Sequence, residues 1–278
     1  MGRRPMLRLT RTLLVLATLA LGFAAPPAQA EDSRLVRLSY YGYLGTLQVG
    51  QIDLMIEMAP GPRPAKDYNI SATVTLSGAY AKMVPFQWQG EARGGAGSKN
   101  VLPSSYQSQM DLLGNHESMT IAYHPDGQVD AVSTPPTVEA RLAREQGLGL
   151  HTMDPLSAAV AIVDTVLRTG GCETSLPVFD GARRYNLNFS SVGPDVVERT
   201  LFSTYEGQAL HCAATAELVA GFQANAISSS FYPTKTDLWL GRAVKDLPLL
   251  PVRVLAQSRM GLMRVELVQA TAVASAAP

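Results

Sequence analysis

The stretch YNISATVTLS, residues 68–77, alternates apolar and polar side chains over its whole length. Tyr68, Ile70 and Ala72 belong to the apolar set, whereas Asn69 opens the polar set. Successive side chains of a β-strand point to opposite faces of its sheet, so this pattern predicts a strand with one buried face and one wet face. Such one-sided strands are typical of antiparallel sheets.

The same alternation returns many times along the chain, with turn residues between the repeats. Further examples are Ile52/Leu54/Ile56/Met58, Phe86/Trp88, Tyr106/Met110/Leu112, Met119/Ile121/Tyr123, Tyr185/Leu187/Phe189, Val252/Val254/Ala256 and Met263/Val265/Leu267. The repeats add up to roughly a dozen strands, which are too many for a flat open sheet. We therefore predict a mainly β fold, built as a curled antiparallel sheet or an incomplete β-barrel.

Turn and bend residues support this arrangement. Asp126-Gly127 and Asp180-Gly181 lie between alternating runs, and Asp-Gly pairs favour tight hairpins because they accept positive φ. Gly50 lies where the apolar phase changes between Val49 and Ile52. This change of phase predicts a bulge or a sharp bend that lets the sheet curl.

Two segments carry helical signals. Asp154 is a suitable N-cap with Pro155 in the first helical position, and Gly170 ends the segment. Between them the apolar residues recur at helical spacing, namely Leu156, Val160, Val163 and Leu167. The pattern predicts one long helix packed against the sheet. A weaker pattern over residues 137–145 predicts a solvated connecting helix.

Residues 1–30 have the layout of a secretory signal peptide. Four arginines precede an apolar run from Leu13 to Ala24, and Ala28-Gln29-Ala30 offers small residues for cleavage before Glu31. The run is shorter than the roughly 20 residues that span a bilayer, which disfavours the alternative of a retained anchor. We expect a periplasmic protein without stable membrane insertion, exported by the Sec route rather than by the twin-arginine route that Arg3-Arg4 would also allow.

Cleavage would leave a single β-rich domain over residues 31–268 and a disordered tail over residues 269–278. The leader removes four of the 23 basic residues and none of the 23 acidic ones, so 19 basic residues remain and the net charge becomes −4. We therefore expect no nucleic acid among the partners.

Cys172 and Cys212 are the two cysteines of the chain. In an oxidising compartment such a pair favours a disulfide, with two buried thiols as the alternative. Neither belongs to a Cys-x-x-Cys motif, so a redox-catalytic role has little support. Cys172 follows the predicted long helix and Cys212 lies on the apolar side of a predicted strand, so the bridge would tie the helix end to the sheet interior.

No residue pattern in the sequence points to a metal or to catalysis. The four histidines, at positions 116, 124, 151 and 211, are scattered without metal-ligand spacing. A nucleophile elbow and a phosphate-binding loop are both missing from the sequence. We expect no cofactor and no enzymatic activity. A hydrolase with an unrecognised site stays open, since the sequence does not tell which strands become neighbours.

The order of several short landmarks resembles an exported bacterial family, the domain of unknown function 3108, over about residues 38 to 268. The landmarks are Tyr40 to Gly45, Val49-Gly50, Pro103 to Tyr106, Tyr123, Asp126-Gly127, Asp154 to Ala158, Asp180 to Tyr185, Trp239-Leu240 and Pro251. The resemblance implies a periplasmic, mostly antiparallel β protein with a curled sheet. It implies no activity and no catalytic residues, and the cysteine pair is not part of it.

The leading hypothesis is a non-catalytic envelope protein that holds a lipid-like or other apolar small molecule between helix and sheet. The expected lining residues are Tyr40, Tyr43, Tyr106, Leu156, Val160, Val163, Tyr185 and Trp239. Such aromatic residues are also common in ordinary cores, which is the simpler alternative. A second hypothesis is a scaffold that binds another periplasmic protein through an exposed strand edge or apolar patch.

Overall fold

The computed structural model describes residues 34–58, 67–96, 100–222, 233, 235–259 and 261–274. These residues form 13 strands: β1 (Arg34–Leu44), β2 (Leu47–Met58), β3 (Asp67–Leu76), β4 (Phe86–Ala96), β5 (Val101–Leu112), β6 (Asn115–Tyr123), β7 (Val129–Thr134), β8 (Thr174–Phe179), β9 (Arg184–Val197), β10 (Gly207–Ala220), β11 (Lys235–Gly241), β12 (Leu250–Ser258) and β13 (Gly261–Ala274). They also form three helices: α1 (Gly78–Met83), α2 (Val138–Glu145) and α3 (Pro155–Thr169).

All 13 strands of the described residues join one antiparallel sheet in the order β7-β6-β5-β4-β3-β2-β1-β13-β12-β11-β10-β9-β8. Apart from β7 and β8, strands that follow each other in the chain are neighbours in the sheet, and β1 also pairs with β13. The first and last strands therefore meet in the middle, and β7 and β8 are the two edges. The sheet stays open between these edges, which confirms the predicted mainly β, antiparallel and unclosed architecture.

Since neighbouring strands are antiparallel, the connections alternate between two ends of the sheet. We call the upper end the one that carries the connections β1–β2, β3–β4, β5–β6, β8–β9, β10–β11 and β12–β13. The lower end carries the connections β2–β3, β4–β5, β6–β7, β9–β10 and β11–β12.

The predicted turns and the predicted bulge are confirmed. Asp126-Gly127 joins β6 to β7 and Asp180-Gly181 joins β8 to β9, with both glycines at positive φ. Gly50 pairs with Gly42, and the register of β1 and β2 shifts immediately beyond this pair. A Cβ atom at position 50 would lie 2.9 Å from the carbonyl oxygen of Thr75, so glycine is needed for the close approach of β3.

The helices differ in part from expectation, since the described residues contain three short helices of 6, 8 and 15 residues rather than one long one and a connector. The longest, α3, occupies the segment that begins after Asp154, and Gly170 ends it at φ 76°. α2 follows the N-cap Thr137. The sequence did not indicate α1, because six residues are too few for a helical repeat to show.

The last strand extends further than predicted. Residues 269–274, expected in a disordered tail, belong to β13 because they pair with β1 and because Ala270 and Ala272 pack against an apolar cluster. The predicted signal peptide and its cleavage site before Glu31 lie outside the described residues. None of the helices described is long and apolar enough to cross a membrane.

The sheet buries the face on which α3 packs, which we call the inner face. Ile70, Ala92, Tyr106 and Ile121 come from the four consecutive strands β3 to β6 and are cross-strand neighbours on this face. All four are buried in one core with the apolar residues of α3. The opposite face is called the outer face.

Candidate functional site

The helix α3 covers only part of the inner face. Its main contacts are with β3, β4, β5 and β8, and these strands together with α3 are called the covered half. Ala158, Ala161 and Ile162 of the helix are buried there against Ala72 and Ala92 of the sheet core. Small residues on both surfaces let the helix approach the sheet closely.

The first turn of α3 is fixed by a chain of buried hydrogen bonds. The Ser157 backbone N–H donates to Asp154 Oδ1 over 2.8 Å, and the Ser157 hydroxyl donates to Asp154 Oδ2. The hydroxyls of Ser157 and Tyr68 lie 2.7 Å apart, and because Ser157 gives its proton to Asp154, Tyr68 is the donor of this bond. The chain ties the helix cap to β3.

Burial dominates the electrostatics of this cap. It raises the pKa of the Asp154 carboxyl above its usual range, while the hydrogen bonds from Ser157 oppose the rise. Burial also raises the pKa of Tyr106 to about 12. The Tyr123 hydroxyl is buried, and burial followed by the charge of Asp154 raises its pKa. These tyrosines stay neutral and serve as hydrogen-bonding or packing groups.

The other end of α3 is held by a covalent bond. Cys172, just beyond the helix, forms a disulfide with Cys212 of β10, and their Cα atoms lie 6.0 Å apart. Both cysteines are fully buried. Cys212 pairs with Leu238 on the inner face of the sheet, so the predicted bridge joins the covered half to β10.

An apolar cavity of about 400 Å³ lies beside the strands β9 to β12. We call these four strands the cavity half. It is lined by Asp180, Arg183, Tyr185, Leu187, Phe189, Ala214, Thr215, Ala216, Leu218, Phe222, Pro233, Thr236, Leu238 and Val254. Tyr185, Leu187 and Phe189 stand on β9 directly opposite Leu218, Ala216 and Ala214 of β10. The volume lies in the range of small-molecule sites.

Among the described residues, the cavity opens at the upper end of the sheet. Asp180 and Arg183 belong to the β8–β9 turn at this end, and Leu218, near the upper end of β10, lines the cavity although 46% of its surface is exposed. Arg183 Nε donates to Asp180 Oδ2 over 2.7 Å, so the two charges at the mouth balance each other. The arrangement can exclude water from an apolar molecule without demanding a charged group on it.

A larger opening of about 780 Å³ lies at the seam between α3, the start of β8 and the lower ends of β5 and β6. Its walls are more polar, and several of their groups are already paired within the fold. Arg168 Nε donates to Asp164 Oδ2 over 2.7 Å, and the Thr165 hydroxyl donates to the Ala161 carbonyl over 2.8 Å. This opening therefore offers fewer free partners to a ligand than its size indicates.

Polar and aromatic side chains form a cross-strand row on the outer face. His211, Trp239, Arg253 and Glu266 are consecutive partners on β10 to β13. The imidazole stacks on the indole at 4.2 Å between ring centroids, and Arg253 Nε donates to Glu266 Oε1 over 2.8 Å. The indole Nε1–H donates to Asp195 over 2.8 Å and, as the largest cause, lowers the pKa of that carboxyl.

This row contains a histidine–carboxylate pair but no assembled catalytic triad. His211 Nε2 lies 2.9 Å from Asp237 Oδ1, and the indole of Trp239 covers one face of the ring. Within the part of the chain that the structure describes, no hydroxyl or thiol is hydrogen-bonded to the imidazole, and no group of three or more His, Cys, Asp or Glu residues could hold a metal ion. The ring stacking and the ion pair link the four strands on the outer face.

The residues predicted to line a pocket are spread over several places. Tyr106, Leu156, Val160 and Val163 pack around α3 in the covered half. Tyr185 lines the cavity. Three others lie apart from it: Tyr40 and Trp239 belong to a second apolar cluster, with Trp239 on the outer face beside His211, and Tyr43 packs edge-on against Phe202 on the β9–β10 connection.

Most of the cavity wall was not predicted as a site. Its missed members include Leu187, Phe189, Ala214, Ala216 and Leu238. Leu187 and Phe189 already belonged to the same alternating run as Tyr185, so the run as a whole was the available signal. The small residues of β10 gave no signal, because only the pairing of β10 with β9 shows that they leave space between larger neighbours.

Comparison with known proteins gives a family and two solved structures that the chain resembles at low sequence identity. The family model described as "Protein of unknown function (DUF3108)" matches residues 37–268. A β-barrel-like protein of domain of unknown function DUF1849 from Brucella abortus is 8% identical, with a TM-score of 0.47 over 87% of this chain and 98% of that chain. A DUF1329 family protein from Desulfovibrio piger ATCC 29098 is 7% identical, with a TM-score of 0.27 over 90% of this chain and 89% of that chain. A search of curated proteins finds no match.

Proposed function

The chain belongs to the DUF3108 family, and we propose that it is a non-catalytic protein of the periplasm that holds one lipid-like or other apolar molecule in the cavity of β9 to β12. The observation that carries the proposal is the cavity itself. Apolar side chains of four adjacent strands line about 400 Å³ of space that α3 does not fill.

The size of the cavity suits a flexible hydrocarbon. Burial of a methylene group contributes about 0.8 kcal/mol, so about ten methylenes would contribute about 8 kcal/mol before the cost of immobilising the ligand. That gross value corresponds to a dissociation constant of about 1 μM. Binding in the micromolar range or weaker suits a carrier that must also release its ligand.

The chemistry of the wall supports binding rather than turnover. Its charged residues are Asp180 and Arg183, which pair with each other at the mouth. Its hydroxyl groups are those of Tyr185, Thr215 and Thr236, and the described part of the wall holds no histidine or cysteine beside them. A general base of suitable pKa next to a nucleophile would be the signature of a hydrolase.

The disulfide supports an oxidising location. A buried Cys172–Cys212 bridge is expected in an exported protein and is rare in the cytosol. Together with the predicted leader of residues 1–30 it favours the periplasm. Sequencing the amino terminus of the mature chain tests this part directly, since a start far from Glu31 would contradict it.

The direct test of binding is native mass spectrometry of the mature chain purified from its own cell envelope. We expect a mass above that of the bare chain, and organic extraction should release the bound molecule. A bare mass, together with failure to bind the apolar dye N-phenyl-1-naphthylamine, would overturn the carrier. Crosslinking to another periplasmic protein would then favour the scaffold.

A matched pair of variants locates the site. Ala216→Trp places an indole inside the cavity, and Glu217→Trp places the same group on the outer face one residue further along β10. We expect Ala216→Trp to weaken dye binding by about tenfold or more, because the indole occupies the space that the ligand needs. Glu217→Trp should leave binding unchanged. Equal binding by both variants would place the site elsewhere, and circular dichroism spectra would show that both are folded.

A further inference from the structure

We propose that the upper end of the sheet docks on the surface of a lipid bilayer, and that the apolar ligand enters and leaves the cavity there. The inference rests on the proposed function, since it assigns the source of the ligand. It adds a partner surface that the cavity alone does not specify.

Four connections of the upper end form a continuous rim. The Gly45 backbone N–H in the β1–β2 turn donates to the Leu262 carbonyl beyond the β12–β13 turn over 3.3 Å. The Ser77 backbone N–H, at the start of α1, donates to the Val49 carbonyl of β2 over 3.0 Å. The Leu113 backbone N–H of the β5–β6 turn donates to the Pro85 carbonyl over 3.0 Å. Four successive connections are thus joined by backbone hydrogen bonds.

Large apolar side chains are exposed along this rim. Met83 of α1 is 75% exposed and Leu113 is 60% exposed. The other large apolar residues exposed along the rim are Leu47, Tyr80, Leu112 and Leu262. These side chains belong to separate connections and gain little by packing on one another. A single surface that contacts all of them must be broad and deformable, as a lipid bilayer is.

The helix α1 strengthens the argument. It has six residues, none of them buried, and its side chains Tyr80 and Met83 share one face because they are three positions apart. α1 contacts β2 and β3 without burying any of its residues, so a further apolar surface would stabilise this short helix. Lys82 between them carries a positive charge suited to anionic lipid headgroups.

The mouth of the cavity lies at the same end as the rim. Lys235, next to the cavity residue Thr236, pairs with Gln257, and Gln257 in turn pairs with Leu262 of the rim. The mouth of the cavity is therefore adjacent to the rim, with no strand between them. A bilayer in contact with the rim would face the partly exposed Leu218 of the cavity wall, so an acyl chain could pass without crossing open water.

The test is flotation of the full mature chain with vesicles of phosphatidylethanolamine and phosphatidylglycerol. We compare the wild type with the double variant Met83→Glu/Leu113→Asp, which puts two charges on the rim. Leu113 has a φ of 54°, a conformation that aspartate accepts readily, so the change should not disturb the turn. We expect the bound fraction to fall by about tenfold or more, because each apolar side chain that inserts contributes more than a factor of ten.

The matched control is Leu102→Asp at the lower end of β5. Leu102 is 61% exposed, so the control adds a charge at an apolar site as accessible as Leu113. Ten residues of extended strand place it about 33 Å from Leu112 of the rim. It should bind vesicles as the wild type does. Equal losses for both variants, or no wild-type flotation, would overturn the docking surface. A wild-type dimer in sedimentation velocity that the double variant abolishes would assign the rim to a second copy of the chain and overturn the bilayer.

The outcomes separate this inference from the proposed function. Dye binding without flotation would refute the docking surface and leave the carrier standing. Flotation that the rim variant abolishes, without dye binding, would support the surface and refute the carrier. Ala216→Trp, which fills the cavity, should still float with vesicles.

Discussion

The covered half and the cavity half are both built from strands in which apolar and polar residues alternate, but their inward side chains are buried to different extents. In the covered half Ile70, Ala92 and Tyr106 are almost fully inaccessible, because α3 packs over them. In the cavity half Leu187 and Phe189 occupy equivalent inward positions and stay partly exposed. An inward side chain is therefore buried only where a second element covers it, and the two halves show a sheet with and without that cover.

Side-chain size accompanies this difference. The covered half has small residues where helix and sheet meet, among them Ala72, Ala92 and Ala161. The wall of the cavity half combines large and small side chains, with Phe189 facing Ala214 and Leu187 facing Ala216 across β9 and β10. A helix could not approach the rings of β9 as closely as α3 approaches β4. The space that remains is the cavity.

Loss of the disulfide bond that joins the two halves is expected to have a large effect on stability. Replacing Cys172 and Cys212 by alanine should lower the free energy of unfolding by up to about 4 kcal/mol, since the bridge closes a loop with a sequence separation of 40. Urea unfolding measures the change. Adding a reductant should bring the wild type to the level of the variant and leave the variant unchanged. A loss below about 1 kcal/mol would mean that α3 holds the halves together without the bridge.

Truncation on each side of the comparison tests the difference in packing. Ile162→Ala in α3 should cost about 2–5 kcal/mol, because it opens a void in a closed core. Leu187→Ala in the cavity wall should cost about 1 kcal/mol, because its side chain already borders open space. Chemical denaturation of both variants under the same conditions gives the two values. Equal costs would contradict the division into a filled and an open half.

The smallest effect concerns the cap of α3. Burial raises the pKa of Asp154 in the folded state above the ordinary value of 3.8. Because of this shift, the stability that the carboxyl contributes is fully present at a pH below its pKa in the unfolded chain. It is lost as the pH rises through its pKa in the folded protein. The variant Asp154→Asn has no ionisable group at the cap, so the stability of the wild type relative to this variant should decline as pH rises above about 4.

The two caps are otherwise similar, because asparagine and aspartate are nearly equal at an N-cap, and the difference at neutral pH should stay within about 1 kcal/mol. Unfolding free energies at several pH values supply the measurement. An opposite slope for Asp154→Asn would refute a raised pKa at the cap.

Local patterns carried much of the fold. The alternation of residues 68–77 is strand β3, and the Asp-Gly pairs and Gly50 occupy the turns and the bulge that they predicted. The reason is that each signal acts over a few residues and depends on backbone geometry alone. The disulfide could also be predicted, because the chain has two cysteines and the expected compartment is oxidising.

The cavity depended on information that a sequence does not hold. Its wall requires β9 to lie beside β10 and α3 to stay over β3, β4 and β5, and both facts follow from long-range pairing. Tyr185 and Trp239 look alike as large aromatic residues in alternating runs, yet one lines the cavity and the other stacks on His211 outside. The end of β13 was missed because its partner, β1, lies at the opposite end of the chain.

The number of strands explains why the interior contains a helix at all. An up-and-down sheet with an odd count of 13 among the described residues has both edge strands, β7 and β8, running in the same direction. The chain leaves β7 at the upper end and must begin β8 at the lower end, so it has to travel the height of the sheet between them. It does so in two stages, because α2 lies against β7 and α3 lies against β8. The 15 residues of α3 rise about 22 Å, close to the length of β8. The odd strand count thus obliges the chain to return along the inner face, and α3 makes part of this return as a helix. The cavity lies beside strands that this helix does not cover.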